Sequence, residues 1–123
     1  MNFKESLDNH ISAIFSRDLD GFSSTLVNDD RLTLILPNGS VLNGFDAIVD
    51  FHRAWFSDPD WHIETTLLKR IETDSSCTAL LDVVYSDLDE SGKPYLLKYI
   101  LSLTFVFERE CWLLVFDQNT IKA

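Results

Sequence analysis

The stretch from Tyr95 to Glu108 constrains this chain more than any other. Its odd positions, Tyr95, Leu97, Tyr99, Leu101, Leu103, Phe105 and Phe107, are all apolar or aromatic. That is the period-two pattern of a β-strand with one buried face. A run of about 14 residues far exceeds the usual five or six, so strong curvature is expected. The even positions, Lys98, Ile100, Ser102, Thr104 and Val106, are only weakly polar. One face can take helices. The other calls for a second cover, most simply another copy of the chain in an isologous dimer through the sheet.

The rest of the chain supplies those helices and the neighbouring strands. Phe3, Leu7, Ile11, Ile14 and Phe15 recur at helical spacing. Asp18 is placed to cap a short second helix whose buried side is Leu19, Phe22 and Leu26. Arg31 to Leu36 reads as a strand, Pro37-Asn38-Gly39 as a turn and Val41-Leu42 as a brief return. A third helix follows, with Asn43 as its expected cap, Asp46 third in the helix, and Phe45, Ile48, Val49, His52, Trp55 and Phe56 along one side. It stops before Pro59. From Trp61 the pattern is β. Trp61, Ile63, Thr65, Leu67 and Ile71 face one way, with His62, Glu64, Thr66 and Arg70 opposite. Further strands are Cys77 to Leu88, the long one above, and Trp112 to Asn119. The Asp87 to Glu90 charge run reads as a solvated hairpin tip. Helices followed by a long-stranded meander predict an α+β fold: three N-terminal helices packed on a strongly curved antiparallel or mixed sheet, one domain over residues 1–123.

Twenty acidic against ten basic residues leave a net charge of −10, which disfavours nucleic acid and anionic membrane as partners. No run approaches the ~18 apolar residues of a membrane span. Glu5 and Asp8 stand where an export signal would need basic and apolar residues, so a soluble cytoplasmic protein is expected. Cys77 and Cys111 carry no ligand spacing and read as small buried hydrophobes. His10, His52 and His62 do not make a metal-ligand set, and no phosphate loop or nucleophile elbow is present, so neither metal nor cofactor is expected.

Three segments carry a resemblance. They are Asp18-Leu19-Asp20-Gly21 after an amphipathic helix, Asn38-Gly39 through Asn43-Gly44-Phe45-Asp46-Ala47-Ile48 into the third helix, and the ending Trp112-Leu113-Leu114-Val115-Phe116-Asp117-Gln118-Asn119-Thr120. In order and spacing the chain resembles the nuclear transport factor 2-like superfamily, in its SnoaL-like and ketosteroid-isomerase-like branch. The resemblance implies a cone-shaped fold, a cavity between helices and sheet, and frequent dimerisation. The steroid isomerases of this shape use a helix tyrosine, an aspartate base on the first strand and a protonated aspartate on the long strand. Those places fall here on His10, on Ile35 or Leu36, and near Leu103. The aliphatic residues cannot carry a proton, so that mechanism is not expected.

What remains is a cavity without those carboxylates. The leading expectation is a homodimeric domain binding an apolar or aromatic small molecule. Phe22, His52, Trp55, Phe56, Tyr99, Phe105 and Asn119 would form the binding set, with His10 and Asp117 as the catalytic or orienting groups. Tyr85 and Tyr95 offer further hydroxyls, and the last strand's parity puts Asp117 with Leu113, Val115 and Asn119. Asp82 is expected to pair with Lys98 or Arg70. A cofactor-independent isomerase, cyclase or dehydratase using a His/Asp pair is the alternative from the enzyme class. A ligand-free dimerisation or adaptor module is the third.

Overall fold

The computed structural model describes residues 1–122. Three helices, α1 (Phe3–Phe15), α2 (Leu19–Ser23) and α3 (Phe45–Phe56), precede most of six strands. These are β1 (Thr33–Ile35), β2 (Val41–Asn43), β3 (His62–Glu72), β4 (Ser76–Leu88), β5 (Pro94–Glu108) and β6 (Cys111–Ile121). They form one sheet in the order β2-β1-β6-β5-β4-β3, antiparallel except where β1 runs parallel to β6. The architecture is the α+β plan expected from the patterning.

Local chemistry explains the helix starts. Asn2 caps α1 in a reciprocal box with Glu5, its Oδ1 accepting from the Glu5 N–H at 2.8 Å. Asp18 caps α2 as expected, accepting from the Gly21 N–H at 3.0 Å. A Cβ on residue 21 would lie 2.5 Å from the Asp18 carboxylate, so a larger residue there would push the capping side chain aside. The start of α3 differs from expectation. Gly44 is its N-cap, at φ +92° and without a side-chain cap, while Asn43 ends β2 opposite Thr33. Asp46 is therefore the second residue of α3, not the third.

The concave face of the sheet and the helices enclose the core. Ala79, Val83, Leu103 and Phe105 have no exposed surface there, and Phe22 of α2 is equally sealed. Two bulges bend the sheet. One leaves Leu68 unpaired between Leu67 and Lys69, and the other leaves Val115 unpaired between Leu114 and Phe116. The second overturns the parity read for the last strand. Leu114 and Asp117 both face inward, across the bulge, while Val115 does not share their alternation. The first likewise puts Lys69 and Ile71 on the face of Thr66, on the opposite side from Ile63, Thr65 and Leu67.

Smaller departures have similarly local reasons. Phe15 is 46% exposed at the end of α1, past the turn that packs. Cys77 is buried but Cys111, beside the β5–β6 turn, is exposed. Asp82 pairs with Lys122 at 2.7 Å, which the chain end brings across the sheet in place of Lys98 or Arg70. Asp87 does not belong to the hairpin tip. It is buried at the end of β4, where its inward parity follows Val83 and Tyr85.

Candidate functional site

A pocket of about 310 Å³ opens between α3 and the concave sheet face. Its wall includes Ile14 of α1, Leu34, Leu36, Pro37 and Asn38 around β1, Phe51, His52 and Trp55 of α3, and Ile63 of β3. Tyr85, Leu97, Tyr99, Leu101, Asp117 and Asn119 complete it from β4, β5 and β6. That volume stands at the lower end of small-ligand pockets, which run from roughly 300 to 1,000 Å³.

Six of the residues singled out from sequence meet here: His52, Trp55, Tyr85, Tyr99, Asp117 and Asn119. Four others lie behind the wall. Phe22 and Phe105 are fully buried in the core, Phe56 packs against Phe22 and Trp61, and His10 has no exposed surface. Phe22 separates the two histidines. Its ring stacks on His52 at 4.0 Å on one side and lies 5.1 Å from His10 on the other. The structure therefore places His10 outside the pocket lining. Sequence reasoning missed Phe51, although it stands three after Ile48 and four before Trp55 on the same helical stripe.

The buried imidazoles are held neutral in defined tautomers. His52 Nδ1 lies 2.7 Å from the Ile48 carbonyl, which can only accept, so Nδ1 carries the proton and Nε2 is the ring's acceptor. Burial drives its pKa down to about 4. The Thr25 hydroxyl donates to the Phe22 carbonyl at 2.6 Å, so His10 Nδ1 is the donor in its 2.8 Å contact with Thr25 Oγ1. Burial, and then the nearby His52, lower its pKa to about 3. Neither histidine hydrogen-bonds a carboxylate.

Asp117 is the acid of the pocket. Asn119 Nδ2 donates to its Oδ1 at 3.1 Å and to the Ile35 carbonyl at 2.8 Å, which ties β6 to β1. Burial pushes the Asp117 pKa up to about 7, with the Asn119 contact pulling the other way. Among the described residues, His10 Nε2 is the one sealed side-chain polar atom without a partner. The free Asp117 Oδ2 and the Tyr99 hydroxyl, which no side chain engages, thus open onto the pocket. Burial and the Asp117 charge both raise the Tyr99 pKa above its ordinary value.

A second polar chain fixes the aromatic wall. Trp55 Nε1 donates to the Tyr85 hydroxyl at 3.1 Å, and that hydroxyl donates to Asp87 Oδ2 at 2.8 Å. Trp55 also stacks on buried Trp61 at 4.3 Å, with the Arg17 guanidinium 3.8 Å from the Trp61 ring centre. These contacts pin a wide aromatic surface without using the pocket's free polar atoms.

Solved structures share this whole arrangement of elements. A ketosteroid isomerase-like protein from Erwinia carotovora atroseptica aligns at TM-score 0.80 over 98% of this chain and 93% of its own, with 10% identity. A nuclear transport factor 2-like superfamily protein from Salmonella enterica aligns at 0.80, over 97% and 87%, with 13% identity. The chain has the nuclear transport factor 2-like fold. A candidate calcium/calmodulin-dependent protein kinase type II association domain from Thiobacillus denitrificans also shares this fold, at TM-score 0.82, 99% and 96% coverage and 17% identity. No protein-family model and no curated protein matches the sequence. At these identities the likeness concerns the fold alone, and any chemistry must be read from the pocket.

Within a nuclear transport factor 2-like fold the position of Asp117 is informative. It pairs with Leu103 across the β5–β6 ladder and with Leu34 across β1–β6. The resemblance would put the two carboxylates of a steroid isomerase on Ile35 or Leu36, beside or just beyond Leu34, and near Leu103. Here one acid stands on the strand between them.

Proposed function

We propose that this chain is a homodimeric domain that holds a small apolar or aromatic molecule in the pocket, with Asp117, Asn119 and Tyr99 orienting it. The observation that carries this reading is the pocket itself. It is walled by aliphatic and aromatic side chains, and its free polar atoms belong to few residues, chiefly Asp117 and Tyr99. A rigid apolar cavity with a few convergent polar groups is the usual form of a small-molecule site. A His/Asp acid–base pair would need a hydrogen bond or one bridging water, and no hydrogen bond joins either histidine to a carboxylate.

The test is a panel of hydrophobic and aromatic metabolites read by melting temperature, on the native chain and on Leu36→Trp. Leu36 is a half-buried wall residue, so an indole there fills the pocket from its rim. At least one compound is expected to raise the native melting temperature by several degrees, corresponding to roughly 1–3 kcal/mol at saturating ligand. The same compound should leave Leu36→Trp unmoved. No shift from any compound, or equal shifts in both proteins, overturns the reading.

The dimer is supported by the convex face. Leu80 and Val84 of β4, Ile100 of β5 and Phe116 of β6 alternate outward there, opposite the core residues. No helix covers them, and a second copy would. Light scattering at micromolar concentration should give twice the 14.1 kDa chain mass, and Ile100→Glu should return it to one. A monomer at all concentrations removes the dimer while leaving the pocket reading intact.

A further inference from the structure

We propose that the pocket's ligand is a protonated amine with an apolar or aromatic body, its ammonium group held against the free oxygen of Asp117. The inference rests on the pocket reading and names the class of molecule that fills it.

Asp117 is 8% exposed and lines the pocket, yet one of its oxygens has no partner and the other receives only the Asn119 amide. No lysine or arginine belongs to the pocket wall. The titratable groups that share the pocket with Asp117 are Tyr99 from β5, His52 from α3 and Tyr85 from β4. The β1 side offers aliphatic Leu34 and the Ile35 carbonyl. Those hydroxyls are neutral around pH 7, and the buried imidazole is neutral as well, so nothing in the protein compensates an ionised Asp117. A buried carboxylate without a cation is costly, and a ligand that brings the cation relieves that cost.

The walls suit the same guest. Trp55, Tyr85, Tyr99 and Phe51 line the same pocket as the acid, and a cation is attracted to aromatic ring faces. An anionic ligand would meet a buried acid and no basic group. The net charge of −10 also draws cations toward the chain and repels anions.

Proton bookkeeping separates an amine from a neutral guest. An ammonium favours the ionised carboxylate, so binding to protonated Asp117 expels its proton to the buffer. A neutral alcohol or ketone gains by accepting a hydrogen bond from the protonated acid, so its binding takes a proton up or leaves the count unchanged.

The experiment titrates tryptamine, phenethylamine and hexylamine, each beside the corresponding alcohol, by calorimetry at pH 6.5 in phosphate and in MOPS, on the native chain and on Asp117→Asn. At least one amine is expected to bind more tightly than its alcohol and to release more than half a proton. In Asp117→Asn its affinity should fall by at least about thirtyfold, as for loss of one partner from a buried charge pair, and the alcohol's by no more than about threefold. Alcohols binding as tightly as amines, or amine affinity retained in Asp117→Asn, would each overturn the assignment and leave the pocket reading standing. No binding by either class would overturn the pocket reading and the amine with it.

Discussion

Acidification from pH 7 to 4 is expected to make the two buried imidazoles destabilising, against the opposite effect of protonating Asp117, and His10→Leu to remove the larger histidine share. Both buried imidazoles have folded pKa values below the ordinary 6.5, near 3 for His10 and near 4 for His52. The unfolded chain therefore binds protons that the folded chain refuses. Their contribution is intact above pH 6.5 and lost as the pH falls from there through 4 toward 3. At about 1.4 kcal/mol per pH unit, His10 can cost up to about 5 kcal/mol and His52 about 3. A small domain has only about 5–15 kcal/mol in all.

His10→Leu removes one donor from Thr25, which still donates to the Phe22 carbonyl. It also removes the sealed, unpartnered Nε2. At pH 7.5 the change should lie within about 1 kcal/mol of the native chain. At pH 4.5 urea unfolding should find the variant more stable by about 2–3 kcal/mol. Parallel acid sensitivity in both proteins would show that His10 is not the group being protonated.

Asp117→Asn has the opposite dependence. The folded pKa of Asp117, near 7, lies above its unfolded value of 3.8. Stability from this group is complete below pH 3.8 and is lost as the pH rises through 7, to at most about 4 kcal/mol. Asparagine keeps the shape and the contact to Asn119 without the charge. The variant should match the native chain at pH 4 and exceed it at pH 8 by about 2–4 kcal/mol, read from urea midpoints. A variant weaker than the native chain at pH 8 would mean that the carboxylate is stabilising the fold. The expected trade is stability gained against ligand affinity lost, as at many sites held for function.

Much of the fold was legible in the sequence because period-two and period-3.6 patterns report directly on burial. The long strand, the capping Asp18 and the α3 stripe bearing His52 and Trp55 were all read that way. What the patterns could not convey was register. Val115 is one extra residue on β6, and it moves Asp117 onto the inward face beside Leu114. Counting parity from Leu113 happened to include Asn119 but grouped both with residues of the wrong side. Depth was equally hidden. His10 and His52 both border apolar helix stripes, yet Phe22 stands between them, leaving one in the core and the other at the pocket. The partner of Asp82 came from Lys122, and helical or strand spacing says nothing of where a chain end returns.

One carboxyl group, Asp117, is buried at the pocket wall and lacks a cation. Its titration can be observed directly by carbon-detected NMR of the Asp117 side-chain carboxyl, assigned by comparison with Asp117→Asn. A midpoint near 7 that moves down when a bound amine is present is the predicted result. A midpoint near 4, unmoved by any ligand, would contradict it.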